Sequence, residues 1–413
     1  MRQFSSYMMF LALLLLPFTL LAQEVEPQIA MVDSVQPAPV LDSTLTVSLL
    51  TCSPGEETYE LYGHTAIRIT NSEDTLGVVF NYGVFDFHSP HFVWRFVLGE
   101  CDYLLWGEPL TVFLGQYVAR GSWVMEQVLN LTPQEAARIR DSLWVECQPE
   151  NRVYRYNIFR NNCTTRARDL IEGCIRGRIV YPIKFERHTF RSVLHEYTEG
   201  HPWSREGNDL LLGCEVDTVI SDYDVMFAPL YLMQRLDSAM IDAGMSRYRN
   251  LVRERHLLLL PDAARQHAAA EAQPDFPLSP RALGWLLLCL GLCLAVFEWK
   301  RRSICWLVDA VLMTLQGVAG ILLCFMALFS IHPGVASNWQ VWVLNPIPLF
   351  FIYSVVQSDR HRQPCVYHVF AAVILVAFLI LYCIIPQDFS ELILPLALLL
   401  LSRAVVHLLV FRK

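Results

Sequence analysis

YNIFRNNCTTRARDLIE, running from Tyr156 to Glu172, is the stretch on which the reading of this chain turns. An asparagine-rich irregular segment gives way to a helical pattern, and Cys163 stands where the helix begins. A thiol in that place faces unpaired N–H groups and the positive end of the helix dipole. Both stabilise the thiolate and make Cys163 a candidate nucleophile. Far upstream, YGHTAIRI at Tyr62–Ile69 puts His64 at the head of an apolar alternation that reads as a strand. A cysteine on a helix start and a histidine on a strand are the two parts of a thiol–imidazole acyl-transfer site.

Working outward, strands are expected at Leu45–Leu50, Thr65–Thr70, Leu76–Tyr82 and Ser122–Leu129. A helix follows at Pro133–Val145, started by Thr132 with Glu135 at capping-box spacing. Arg152–Phe159 is mixed and Thr164–Glu172 is a short helix, so the class is α+β. The turn signal NSEDT at Asn71–Thr75 joins two of these strands into a hairpin and places the partner of His64 within a residue or so of Tyr82, bracketed by Asn81 and Gly83. A group that orients the imidazole belongs there. Asn81 is the first choice, with Asp86 and His88 behind it.

Arg2 and the apolar run Met8–Ala22 read as a secretory signal over residues 1–22. Cleavage after Ala22 is expected. An uncleaved anchor is the alternative, because Leu20 is a poor residue two positions before the cut. A Pro- and Val-rich tether covers 23–42, the Cys/His domain 43–260, and a second linker 261–281. Residues 282–413 hold five apolar segments, Leu283–Phe297, Ile304–Ser330, Val341–Val356, Val366–Ile385 and Leu392–Phe411. Lys300, Arg301, Arg302, Arg360, Arg362, Arg412 and Lys413 all fall on one side of this bundle, whereas His332–Gln340 and Pro386–Glu391 carry no Lys or Arg. The basic side is read as cytoplasmic and the Cys/His domain as extracytoplasmic, as the signal also requires. Asp309, Gln316, Arg403 and His407 are candidates for a cavity lining, though for the pair Arg403 and His407, near the basic end of the last span, snorkelling is the simpler reading.

The net charge of −8 argues against a nucleic-acid partner, no paired Cys-x-x-Cys or His-x-x-x-His occurs in the ectodomain to suggest a zinc site, and no cofactor is expected. Six of the 12 cysteines (Cys52, Cys101, Cys147, Cys163, Cys174 and Cys214) precede the spans, which leaves a disulfide as the plain alternative for Cys163. Arg166 lies one helical turn from Cys163 and, with Arg168, is a candidate for a lipid phosphate; a helix face pairing with Asp169 or Glu172 is the plainer reading. The aromatic stretches Phe85–Phe96 and Tyr103–Trp106 are read as core in preference to an acyl groove or a segment that dips into the membrane surface.

GHTAIRI, FNYGVFDFHSPHF and YNIFRNNCTTRARDLIE, followed by Phe190–Arg191, Pro202–Trp203, Asp209–Leu212, Asp217 and MFAPLYL at Met226–Leu232, together resemble the Lnb N-terminal periplasmic domain family of Bacteroidota membrane proteins. The resemblance implies a lipoprotein N-acyltransferase of the inner membrane. Its donor is a phospholipid, and its acceptor is the α-amine of a diacylated lipoprotein. Histidine before cysteine also resembles circularly permuted papain-like folds of the NlpC/P60 and lecithin:retinol acyltransferase type. On that pattern His64 matches the base, Asn81 the polar third member and Cys163 the nucleophile. The backbone N–H groups of Cys163 and Thr164, with the Asn161 or Asn162 amide, are candidates to hold an oxyanion. A cell-wall cysteine peptidase or amidase, or a non-catalytic envelope assembly module, are the alternatives.

Overall fold

The computed structural model describes residues 44–75, 77–85, 90–244, 247–272 and 276–411. The signal and the first tether, Asp86 and His88 lie outside the described residues.

Ten strands form two antiparallel sheets: β1 (Thr46–Cys52), β2 (His64–Thr70), β3 (Val78–Val84), β4 (Asp102–Pro109), β5 (Val124–Leu129), β6 (Val153–Arg155), β7 (Arg178–Val180), β8 (Met240–Asp242), β9 (Tyr248–Asn250) and β10 (Val252–Leu259). The main sheet runs β10-β5-β1-β2-β3-β4-β6, and the small one β7-β8-β9. The expected strands stand at β1, β2, β3 and β5 with ends shifted by at most two residues, and helix Pro133–Glu146 starts on the expected box, Thr132 Oγ1 accepting from Glu135 N–H at 3.3 Å. The α+β reading of the ectodomain holds.

Alternation along the central strands explains the layering. Val47, Leu49, Ile67, Phe80 and Tyr82 face one way, into a core shared with helices Pro133–Glu146, Cys163–Cys174 and Pro229–Ser238. Leu50, Cys52, Ala66 and Val79 face the other way, onto Leu110, Phe113 and Tyr117 of helix Leu110–Arg120. Such two-sided burial is why every residue of β1 after Thr46 is buried, Ser48 and Thr51 included. The stretch expected as a linker holds helix Ala263–Ala272, fastened to the ectodomain by Arg265 on Val118 O and Gln266 on Gly121 O.

The C-terminal region is helical. Four helices are long and apolar enough to cross a membrane (Pro280–Arg301, Trp306–Phe329, Trp339–Arg360 and Ile393–Val410), while Val366–Leu381 has 16 residues. The expected count of five full spans is thus four and one short helix. At 1.5 Å per residue the short one extends about 24 Å, less than a hydrocarbon core of about 30 Å. Its apolar run continues to Ile385, but the chain leaves the helix after Leu381. Close packing is visible at Gly320, where a Cβ would come within 2.2 Å of the Asn345 backbone.

Ectodomain and bundle meet along a polar seam. Helix Pro202–Leu211 and the turn after it sit on the two loops that lack Lys and Arg. Gly213 N–H donates to Gly334 O and Cys214 N–H to Ser337 O, at 2.7 and 3.0 Å. Gln340 donates to Asp209 O at 2.7 Å, Gln387 to Leu212 O at 3.3 Å, and Glu206 accepts from Glu391 N–H at 2.9 Å. Behind the seam the fully buried Arg191 joins Asp209, Asp217 and the Leu212 and Gly213 carbonyls. Backbone groups that would otherwise be orphaned are paired across the boundary, which fixes the two parts relative to one another.

The snorkelling reading of Arg403 and His407 is overturned. Both are buried inside the bundle, 4% and 2% exposed. Arg403 pairs with Glu298 of the first span and Asp309 of the second, and His407 with Asp309 and Asp359. Lipid-facing charges reach outward to water; these found partners inward instead. Gln316 donates to Val343 O at 2.8 Å, and a cavity of about 40 Å³ between the spans is lined by Asp309, Gln316 and Arg403 among others.

Candidate functional site

Asn162 sets the site. Its side-chain carbonyl accepts from Thr164 N–H at 2.9 Å and Thr165 N–H at 2.8 Å, and Thr165 Oγ1 accepts from Asn162 N–H, a reciprocal cap that starts helix Cys163–Cys174 at the thiol. Its amide nitrogen donates to Ile158 O and Phe227 O. Asn162 is therefore fully engaged as a cap, and Thr164 N–H with it, so neither is free to hold an oxyanion. Asn161 is also occupied, donating to Arg155 O and accepting from Arg166. Of the groups expected to hold an oxyanion, the Cys163 N–H is the one without a hydrogen-bond partner among the described residues.

The hairpin brings the histidine to the thiol. Pairing of Ile67 with Phe80 and Ile69 with Val78 puts Gly83 opposite His64 and Asn81 on the diagonal, on the same face. Asn81 Oδ1 lies 2.6 Å from His64 Nε2. The other end of the Asn81 amide donates to Glu108 at 3.4 Å, and since a carboxylate only accepts, the amide is oriented with its oxygen on the imidazole. His64 Nε2 thus carries a proton, and Nδ1 is left toward Cys163. Gly83 sits at an irregularity in the β3–β4 pairing with φ +115°, and a Cβ there would lie 3.2 Å from His64 Cε1 and 3.8 Å from Cys163 Cβ. The positive φ favours glycine there, and a side chain would press on the ring beside the thiol.

Electrostatics follow this geometry. Burial alone pushes the Cys163 thiol up, but the facing His64, the Thr65 N–H and the Thr164 hydroxyl outweigh it, and the net shift is downward. Burial pulls His64 down, while the thiolate and the Asn81 hydrogen bond lift it, for a net upward shift. Both shifts run toward thiolate and imidazolium. Thr164 Oγ1, 3.0 Å from Thr65 Oγ1 and 3.8 Å from Cys163 Sγ, ties the helix start to β2. Nearby Cys52 is a contrast: buried without a cationic partner as close, its thiol is pushed up to about 12. All twelve cysteines are free, so the disulfide reading of Cys163 falls.

A cleft of about 370 Å³ opens on the thiol. Tyr62, Phe85, Tyr103, Tyr156, Tyr197 and Phe227 form much of its wall, with Arg120 and Glu60 paired at 2.5 Å on one side. The aromatic stretch read as core is divided in use. Phe85 and Tyr103 stack at 5.1 Å within the cleft, whereas Trp94, exposed on helix Phe92–Leu98, packs against Phe325 of the second span at 5.3 Å. Tyr62 accepts from Asn208 at 2.6 Å, linking the cleft wall to the helix that seats on the membrane region.

The plainer reading, a solvated helix face pairing with Asp169 or Glu172, meets the structure only in the Arg168–Asp169 pair: Arg168 is buried, and Arg166 pairs with Glu146 instead. Arg166 donates to Glu146 and lies over the Tyr82 and Tyr154 rings, and Arg168 pairs with Asp169 and covers Tyr223. Sequence reading missed helix Leu110–Arg120 with Tyr117 and Arg120, and the wall residues Tyr156 and Tyr197. Tyr156 opens the decisive stretch itself; the others carry no local signal, because their place depends on distant packing.

Residues 40–196 match the family described as the Lnb N-terminal periplasmic domain, and residues 271–413 match the Lnb transmembrane domain. No curated protein and no solved structure matches the chain.

Proposed function

Because this chain is an Lnb-type membrane protein, with a periplasmic domain ahead of a transmembrane one, we propose that it is a lipoprotein N-acyltransferase working through a thioester on Cys163. The observation that carries the proposal is a thiol, imidazole and amide aligned at the floor of an aromatic cleft that is tied to the membrane region. Its setting is the inner membrane, with the cleft in the periplasm and the C-terminus in the cytoplasm; the sidedness of the basic loops supports this orientation.

In the first half-reaction the Cys163 thiolate attacks the ester carbonyl carbon of a phospholipid. The developing oxyanion meets the Cys163 N–H at the positive end of the helix. The carbon–oxygen bond breaks, the His64 imidazolium gives its proton to the leaving alkoxide, and a lysophospholipid departs. In the second, the α-amine of a diacylglyceryl-cysteine attacks the thioester. The carbon–sulfur bond breaks, thiolate is regenerated, and His64 takes the proton that the amine loses. Asn81 keeps one imidazole nitrogen aimed at the reaction throughout. A thioester also reacts with water, and the aromatic walls are suited to keeping an acyl chain in and water out.

The test uses the full-length protein in two steps. Phospholipid alone should give a hydroxylamine-labile acyl group on Cys163 and an equal amount of lysolipid; a diacylated lipopeptide should then discharge it to the triacylated product. If no acyl-enzyme forms while peptidoglycan fragments are cleaved, the hydrolase reading replaces this one.

A further inference from the structure

Asp359, His368 and His407 belong to three different helices of the bundle and meet near its end remote from the ectodomain. They are 7%, 4% and 2% exposed, and one ligand atom from each lies within 4.8 Å of the other two. Two of the three are short of partners. Asp359 Oδ1 is 3.0 Å from His407 Nδ1 as an ion pair, whereas Asp359 Oδ2 and His368 Nε2 have no hydrogen-bond partner among the described residues. Buried polar atoms are nearly always paired, so unpartnered atoms on Asp359 and His368, in a cluster that His407 completes, indicate a ligand between the three residues.

Charge identifies its sign. Glu298, Asp309 and Asp359 bring three negative charges into the buried cluster. Arg403 supplies one positive charge and His407 at most one more, so the cluster is left negative. A dication bound by neutral imidazoles brings it to zero. The donors identify the class: two imidazoles and a carboxylate suit zinc and its first-row neighbours, whereas magnesium and calcium take oxygen. An outer shell is already built, since His407 Nε2 lies 2.9 Å from Asp309 Oδ2, which holds the ring and turns Nδ1 inward.

We propose that Asp359, His368 and His407 form a binding site for a divalent first-row transition-metal ion that clasps three helices of the bundle. In a tetrahedral site the ligand atoms stand roughly 3.3 Å apart. The His368 and His407 rings now stack at 3.7 Å between centroids and 18° between planes, so binding turns His368 out of the stack until both lone pairs converge.

The experiment is metal analysis of the full-length protein purified in detergent without chelator and supplied with Zn²⁺. About one zinc per chain should remain after desalting, with Cys163→Ala unchanged, and His368→Gln and Asp359→Asn reduced about tenfold or more. Chelation should lower the melting temperature, and Zn²⁺ should restore it in the wild type but not in His368→Gln. Should these variants fail to accumulate, Co²⁺ loading of the wild type decides: ligand-field bands without thiolate charge transfer support the site. Wild-type protein that takes up no zinc, variants that keep the wild-type content, or Co²⁺ spectra showing thiolate ligation overturn it. None of these readouts involves acyl transfer, so the site stands or falls apart from the reaction proposed for Cys163.

Discussion

Two charged groups of residues, one in the ectodomain and one in the bundle, are built on opposite plans. The pair of Cys163 and His64 is small, held from behind by Asn81 and the Asn162 cap, and open in front to a cleft. Arg403 is enclosed by partners: two carboxylates take its donors, His407 takes the remaining reach of Asp309, and only a cavity of about 40 Å³ adjoins them. Both are removed from bulk solvent. What separates the site proposed for chemistry from the cluster that joins the spans is the cleft left open in front of the thiol.

The sharpest way to break this contrast is to exchange the nucleophile. Cys163→Ser should abolish acyl-enzyme formation while leaving the melting temperature and membrane insertion unchanged, because serine fits the site but has no comparably acidic proton. Full activity in that variant would place the chemistry elsewhere. Arg403→Met should do the reverse and cost about 3–5 kcal/mol of stability, since it strands two buried carboxylates. Thermal unfolding in detergent measures it, and adding Glu298→Gln and Asp309→Asn should recover much of the loss. Unchanged unfolding in the single variant would mean that the cluster holds nothing together.

Smaller effects sharpen the open half of the comparison. The rate of acylation should follow a bell in pH, rising as the thiol ionises below its ordinary range near 8.5 and falling as His64 loses its proton above the ordinary 6.5. In His64→Ala the acid limb should move up toward the ordinary thiol value, because the shift that the imidazolium imposes is gone. A limb that stays in place would remove His64 from the pair. Asn81→Ala is the mildest, about tenfold in rate, as one hydrogen bond of about 1.5 kcal/mol is lost while thiol and ring remain. A loss as large as that of Cys163→Ser would mean that Asn81 does more than orient.

Much of the open site could be read from the chain because its determinants are local. The Asn-Cys-Thr-Thr start of a helix, the NSEDT turn and the alternation in HTAIRI fix the thiol, the hairpin register and the ring within short stretches. Asn162 was misassigned to the oxyanion although an asparagine just ahead of a helix is a natural cap. The closed cluster was beyond reach for a different reason. Arg403 and His407 are visibly one turn apart, but Glu298, Asp309 and Asp359 lie on three other helices, and nothing local tells a buried arginine from one reaching for water. Tyr117 and Arg120 entered the cleft wall only through the packing of their helix across the sheet.

The seam between helix Pro202–Leu211 and the loops around Gln340 and Gln387 makes the protein a depth gauge. With the cleft wall fastened through Tyr62 and Asn208 to a helix that is itself fastened to the bundle, the thiol stands at a set height relative to the spans. On the proposed reaction, an ester is reached by where it lies along the membrane normal, and an acceptor must rise to that level whatever its own length.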